Sequence, residues 1–248
     1  MVANMQRLDG LAVYETKRDG PCVVFVHGAM DRAAGMIRIA RCLPTWNIIR
    51  YDRRGYGRSD ADAAERGFDG QIHDLKVALP KRPCVLFGHS YGGVIAMALG
   101  SMKPSEVVAI VSYEAPRAWE SWWPQAPDVE IDPGDAAEYF MRNLTGDRKW
   151  LSLTSRAREQ YRRQGELMVQ ELRWQETRRY DASQIKVPLV IGVGSQSNER
   201  AQMAARLTAA EASEGTLQKI EGLDHAAPQT HPKEIAQLIK SAFNSINL

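Results

Sequence analysis

Apolar and polar positions along this chain follow two rhythms that take turns. Short runs of strand length, Cys22–Val26, Asn47–Tyr51, Cys84–Phe87, Val107–Tyr113 and Val187–Val193, are mostly apolar without alternation, as in strands buried on both faces. Between them lie stretches with apolar residues at helical spacing: Arg32–Cys42 behind a capping Asp31, Phe68–Leu79 capped by Asp69, the Ala-rich run after Gly92, Asn198–Ala212, and Glu234–Ile246 after Pro232. Thr216–Glu221 reads as a last strand. Strand and helix in turn predict an α/β fold, a mostly parallel, doubly wound sheet covered on both faces. Catalytic groups should gather at the carboxyl ends of its strands. Ahead of this alternation, Met5–Thr16 reads as two short strands around Asp9-Gly10, a hairpin at the sheet edge.

The rhythm changes between Pro116 and Gln184. Five of the six tryptophans fall there (Trp119, Trp122, Trp123, Trp150 and Trp174), Pro124, Pro127 and Pro133 punctuate its start, and helical spacing holds from about Gly134. A core of 1–115 with 185–248 and a helical insertion of 116–184 is the expected organisation. The tryptophans read first as packing for a small helical unit, with one or two available to line an apolar pocket. Arg156, Arg158, Arg162 and Arg163 suggest a phosphate or nucleic-acid face, but Asp147, Glu159, Glu166, Glu171 and Glu176 share the same helices. The expectation is a solvated, salt-bridged surface.

Charge narrows the choice of partner. With 32 basic against 30 acidic residues in 248, the net charge of +2 gives no electrostatic case for nucleic acid or an anionic membrane. Met1–Arg7 carries no apolar leader, and no apolar run approaches the roughly 18 residues of a spanning helix. Cys22, Cys42 and Cys84 are odd in number and widely spaced, which fits reduced thiols and a cytoplasmic setting better than a disulfide framework. No spacing of His, Cys or carboxylates suggests a metal site.

The chemistry concentrates at Gly88-His89-Ser90-Tyr91-Gly92, a G-x-S-x-G sequence with a strand before it and a helix after it. That is the context of a nucleophile elbow: a turn tight enough to project the Ser90 hydroxyl, with no room for a Cβ at its outer positions. The helix behind it aims its N–H groups and positive dipole end at the place where an oxyanion would form. His27-Gly28-Ala29-Met30 follows the first buried strand, Tyr51-Asp52-Arg53-Arg54-Gly55-Tyr56-Gly57-Arg58-Ser59 the second, and Gly222-Leu223-Asp224-His225 stands near the end. With these four stretches the chain resembles the α/β-hydrolase superfamily over nearly its whole length. The resemblance implies a helical cap at 116–184 that covers the pocket and selects substrates. It also implies an oxyanion hole built from the N–H groups of Ala29, with Met30 as the neighbouring candidate, and Tyr91. Asp52–Ser59 becomes a structural turn, its arginines and Asp52 pairing within the loop, and His27 a loop-fastening histidine.

Serine is a weak nucleophile at its free pKa and needs a base, itself oriented by an acid. His225 stands where the superfamily's histidine belongs, in the loop after the last strand. The acid departs from the usual pattern: relatives carry an Asp after the strand Leu189–Val193, where this chain has Gly194-Ser195-Gln196-Ser197-Asn198-Glu199, with Ser197 at the Asp position. Three carboxylates are open: Glu114 at the end of the preceding strand, then Glu199, then Asp224. Implied is a cofactor-free serine hydrolase acting on a small-molecule ester or thioester. C–C bond or lactone hydrolysis and perhydrolysis are alternatives on the same residues, and a non-catalytic ligand-binding protein on this scaffold is the alternative of another class.

Overall fold

A computed structural model of the protein describes residues 3–247, so Met1, Val2 and Leu248 lie outside it. The eight strands are β1 (Asn4–Leu8), β2 (Leu11–Thr16), β3 (Cys22–Val26), β4 (Asn47–Tyr51), β5 (Cys84–His89), β6 (Val107–Tyr113), β7 (Leu189–Gly194) and β8 (Gly215–Ile220). They form one sheet in the order β1-β2-β4-β3-β5-β6-β7-β8. From β4 to β8 all neighbours are parallel, while β2 lies antiparallel to both β1 and β4. The β1–β2 hairpin turns at Asp9 and Gly10, both with positive φ (46° and 77°), the conformation of a type I′ turn.

Strands β3, β4, β5 and β7 are buried along their whole lengths, which is why their sequences lack alternation. The helices of this part are α1 (Ile37–Arg41), α2 (Ala63–Ala78), α3 (Tyr91–Ser101), then α8 (Glu199–Glu211), α9 (Ala227–Thr230) and α10 (Pro232–Asn244). Helix α3 is buried from Tyr91 to Gly100, so its apolar run has no polar stripe. Helix α10 instead buries only Ile235, Ala236, Leu238, Ile239 and Ala242 against the core. Among the described residues no helix is long and apolar enough to cross a membrane.

The chain divides into two compact units, 1–116 with 179–248, and 117–178. The second is helical: α4 (Pro133–Thr145), α5 (Asp147–Ser152), α6 (Ser155–Arg163) and α7 (Gly165–Thr177). Trp150 is its buried anchor, with its indole N–H donated to Glu138 at 3.1 Å. Trp122 and Trp123 meet edge to face, and the Arg117 guanidinium lies over Trp119. Arg162 pairs with Asp132, Asp135 and Glu138, and Arg163 with Glu159.

Three local expectations need correction. Asp31 caps no helix: the segment after it is a 3-10 turn, Ala33–Met36, followed by the short α1. Helix α2 starts at Ala63, five residues before Phe68, and is broken at Gly67, whose φ of 61° interrupts the helical spacing; Asp69 therefore lies inside it. Nor do Arg53 and Arg54 pair with Asp52, as described below.

Candidate active site

Strand β5 ends at His89 and α3 begins at Tyr91, so a single residue makes the turn. Ser90 has φ 53° and ψ −126°, a backbone conformation that a side chain with a Cβ seldom adopts. The surroundings enforce it. A Cβ on Gly88 would stand 2.4 Å from the Gly92 carbonyl oxygen, and one on Gly92 would stand 2.2 Å from that of Val26. Neither position flanking the one-residue turn admits a Cβ in this arrangement. The Ser90 N–H donates to the Tyr113 carbonyl at 2.9 Å. Its half-buried hydroxyl makes no hydrogen bond of its own among the described residues.

The loop from His27 to Met30 lies against this turn: a Cβ on Gly28 would come within 3.1 Å of Ser90 Cβ. Arg53, fully buried, fixes the loop. Its Nε donates to the His27 carbonyl and one Nη to the Gly28 carbonyl, each at 3.0 Å, while its other Nη reaches Gln71. The guanidinium lies between the faces of Tyr56 and Tyr91, 4.9 Å from each ring centre. His27 Nε2 accepts the Arg53 backbone N–H at 2.9 Å. Burial, with the Arg53 charge beside it, holds His27 far below the ordinary histidine range, so it is a neutral fastener of the loop. Ala29 follows in this loop and Tyr91 opens α3; their N–H groups are the two that the sequence nominates to hold an oxyanion. Met30 takes up a left-handed turn, φ 56°, with its side chain buried.

The neighbouring Arg54 reaches further than its own loop, to Asp74 on α2 and to Asp62, and its Nη2 donates to the Asp9 carbonyl in the hairpin. Asp52 accepts from Tyr14, from the Ala33 N–H and from the Arg58 N–H. Sequence reasoning missed Asp74, Asp9, Tyr14 and Ala33 as partners because they lie 19 to 45 residues away, and no local spacing reveals them.

His225 sits in the loop after β8. Its Nδ1 is 2.9 Å from Glu114 Oε2. An ionised carboxylate only accepts, so Nδ1 carries a proton, and in the neutral imidazole Nε2 keeps its lone pair. The loop is pinned twice more: the Tyr113 hydroxyl donates to the Asp224 carbonyl at 2.8 Å, and His89 Nε2 donates to the His225 carbonyl at 3.0 Å. Burial, then the proximity of His225, holds His89 well below the ordinary range, which keeps it neutral. Glu114 is 5% exposed and also left-handed, with φ 51°. Burial opposes its ionisation, but the hydrogen bond and charge of His225, with hydrogen bonds from Ser197 and the Gly194 N–H, outweigh burial and hold the carboxyl below its ordinary value.

Of the three candidate carboxylates, Glu114 is therefore the one that meets the histidine. Glu199 lies exposed in the first turn of α8, and Asp224 turns its carboxylate to the Ala226 N–H. Among the described residues no group of three or more His, Cys, Asp and Glu could hold a metal ion.

The arrangement of β3 to β8 and the loops at their carboxyl ends has counterparts. The sequence profile of the alpha/beta hydrolase family matches residues 23–238. The chain belongs to the alpha/beta hydrolase family. A segment of 107 residues is 29% identical to an uncharacterised hydrolase, YraK, of Bacillus subtilis, covering 41% of this chain and 40% of that one. Another of 96 residues is 35% identical to lipase LipV of Mycobacterium tuberculosis, covering 37% and 36%. The chain thus matches about two fifths of the length of these two relatives. Among solved structures, a bromoperoxidase from Bacillus anthracis superposes with a TM-score of 0.76 over 98% of this chain and 99% of its own, at 18% identity. At that identity the likeness concerns the hydrolase fold.

Proposed function

We propose that this alpha/beta hydrolase is a serine hydrolase that cleaves a small ester or thioester through an acyl-enzyme on Ser90. The observation that carries the reading is the 2.9 Å bond from His225 Nδ1 to Glu114, because it leaves Nε2 as the basic nitrogen. In this scheme Nε2 takes the hydroxyl proton as Ser90 Oγ attacks the acyl carbon. The N–H groups of Ala29 and Tyr91 hold the oxyanion, assisted by the positive end of α3. Collapse of the tetrahedral species breaks the bond to the alcohol or thiol, which leaves with the proton from His225. A water activated by the same nitrogen then releases the acid and restores Ser90. The cycle uses no metal or cofactor, and a relative named as a lipase leans toward ester chemistry.

The test is a panel of chromogenic acyl esters together with a fluorophosphonate probe. Ser90→Ala should abolish turnover and labelling while thermal unfolding stays as in the wild type. His225→Ala should behave alike, and the double variant should lose little more than either single one, since members of one catalytic unit are non-additive. A natively folded Ser90→Ala protein with the wild-type rate overturns the assignment.

A further inference from the structure

We infer that Ser197 is a positioning residue for the Glu114–His225 pair, an inference that rests on the function proposed for that pair. The two oxygens of Glu114 are used differently. Oε2 faces His225, whereas Oε1 accepts both the Gly194 N–H, at 3.0 Å, and the Ser197 hydroxyl. Ser197 must donate here, because an ionised carboxylate has no proton to give.

A glutamate has one more rotatable bond than an aspartate and is correspondingly harder to hold in one orientation. Two donors on one oxygen stop the rotation that would exchange Oε1 with Oε2 or swing both away from the imidazole. Ser197 can do this because its own backbone is held: its N–H donates to the Gly194 carbonyl at 3.3 Å and its carbonyl accepts from Gln202 at 2.8 Å. The next residue, Asn198, caps α8 by accepting the Ala201 N–H. The turn after β7 thus delivers no carboxylate of its own and instead clamps one delivered by β6. Its effect on the reaction is exerted through the histidine tautomer: the better Oε2 is held, the larger the fraction of His225 with its proton on Nδ1 and its lone pair on Nε2.

The measurement is the Nδ1–H to Nε2–H ratio of His225, read by 15N NMR on the intact protein at a pH where the imidazole is neutral, alongside kcat and KM. Glu114→Gln sets the scale, since an amide placed toward Nδ1 reverses the tautomer. Ser197→Ala should move the ratio part of the way and lower kcat about tenfold with little change in KM, as expected for losing one hydrogen bond to a charged group. Ser197→Thr, which keeps the hydroxyl, should return both toward the wild type. A Ser197→Ala protein with the wild-type ratio and kcat, in a background where Glu114→Gln is effective, overturns the inference alone. If Glu114→Gln is also silent, the proposed role of Glu114 fails instead.

Discussion

At the scale of single residues the site is governed by how burial and hydrogen bonds divide the protonation of a few groups. Glu114→Gln should leave the fold intact and lower kcat by about 10⁴, the size of effect that a wrong histidine tautomer has in serine proteases. The ester panel measures it. The same carboxylate has a stability consequence. Its folded pKa lies below the ordinary 4.5, so its ionised form contributes stability that is present above about pH 4.5 and lost as the pH falls through the folded value. Asp31 has the opposite sign. Burial pushes its carboxyl from 3.8 up to about 6, and its Oδ2 has no hydrogen-bond partner among the described residues. Its contribution is therefore intact below about pH 4 and lost as the pH rises to about 6. Asp31→Asn should raise the urea midpoint at about pH 7, with the gain shrinking toward pH 4. Ser90, His225 and Glu114 could each be nominated from the sequence, the last because it ends a strand, and the structure brings Glu114 to His225. Arg53 was not, since it serves backbone carbonyls 25 and 26 residues earlier. Ser197 was legible only as a gap, because a serine acquires meaning there once Glu114 is seen beside it.

At the scale of elements the one-residue turn between β5 and α3 is the exacting part. Gly88→Ala or Gly92→Ala would press a methyl group into backbone atoms at 2.2 to 2.5 Å, where no side-chain rotation can relieve the contact. Either change should cost about 3 kcal/mol or more, which for a chain of this length lowers Tm by roughly 10 °C. Differential scanning calorimetry reads it directly. Strands β3, β5 and β7 were legible because burial on both faces leaves a run without polar alternation. Helix α2 was legible only after its break, because Gly67 resets the periodicity and leaves Ala63–Arg66 looking like loop. The absent cap at Asp31 has a related cause: the carboxylate is turned inward, and the chain behind it starts as a 3-10 turn.

At the scale of the whole molecule, the change of composition near Pro116 led to an expected helical insertion of 116–184, and the compact helical unit runs over 117–178. Within the helical unit Trp150 carries the packing, so Trp150→Ala should destabilise it by about 3–5 kcal/mol. Hydrogen exchange should quicken first across 117–178. In the other unit, the unpaired thiols of Cys22 and Cys84 lie on neighbouring strands β3 and β5, both buried, with burial pushing each thiol pKa up, while Cys42 is only half-buried. That distribution equips the protein with its own stopwatch. An alkylating reagent should consume one thiol quickly, at Cys42, and the other two only as fast as the centre of the sheet comes apart. The slow phase, followed by mass spectrometry, would time that opening without any introduced label.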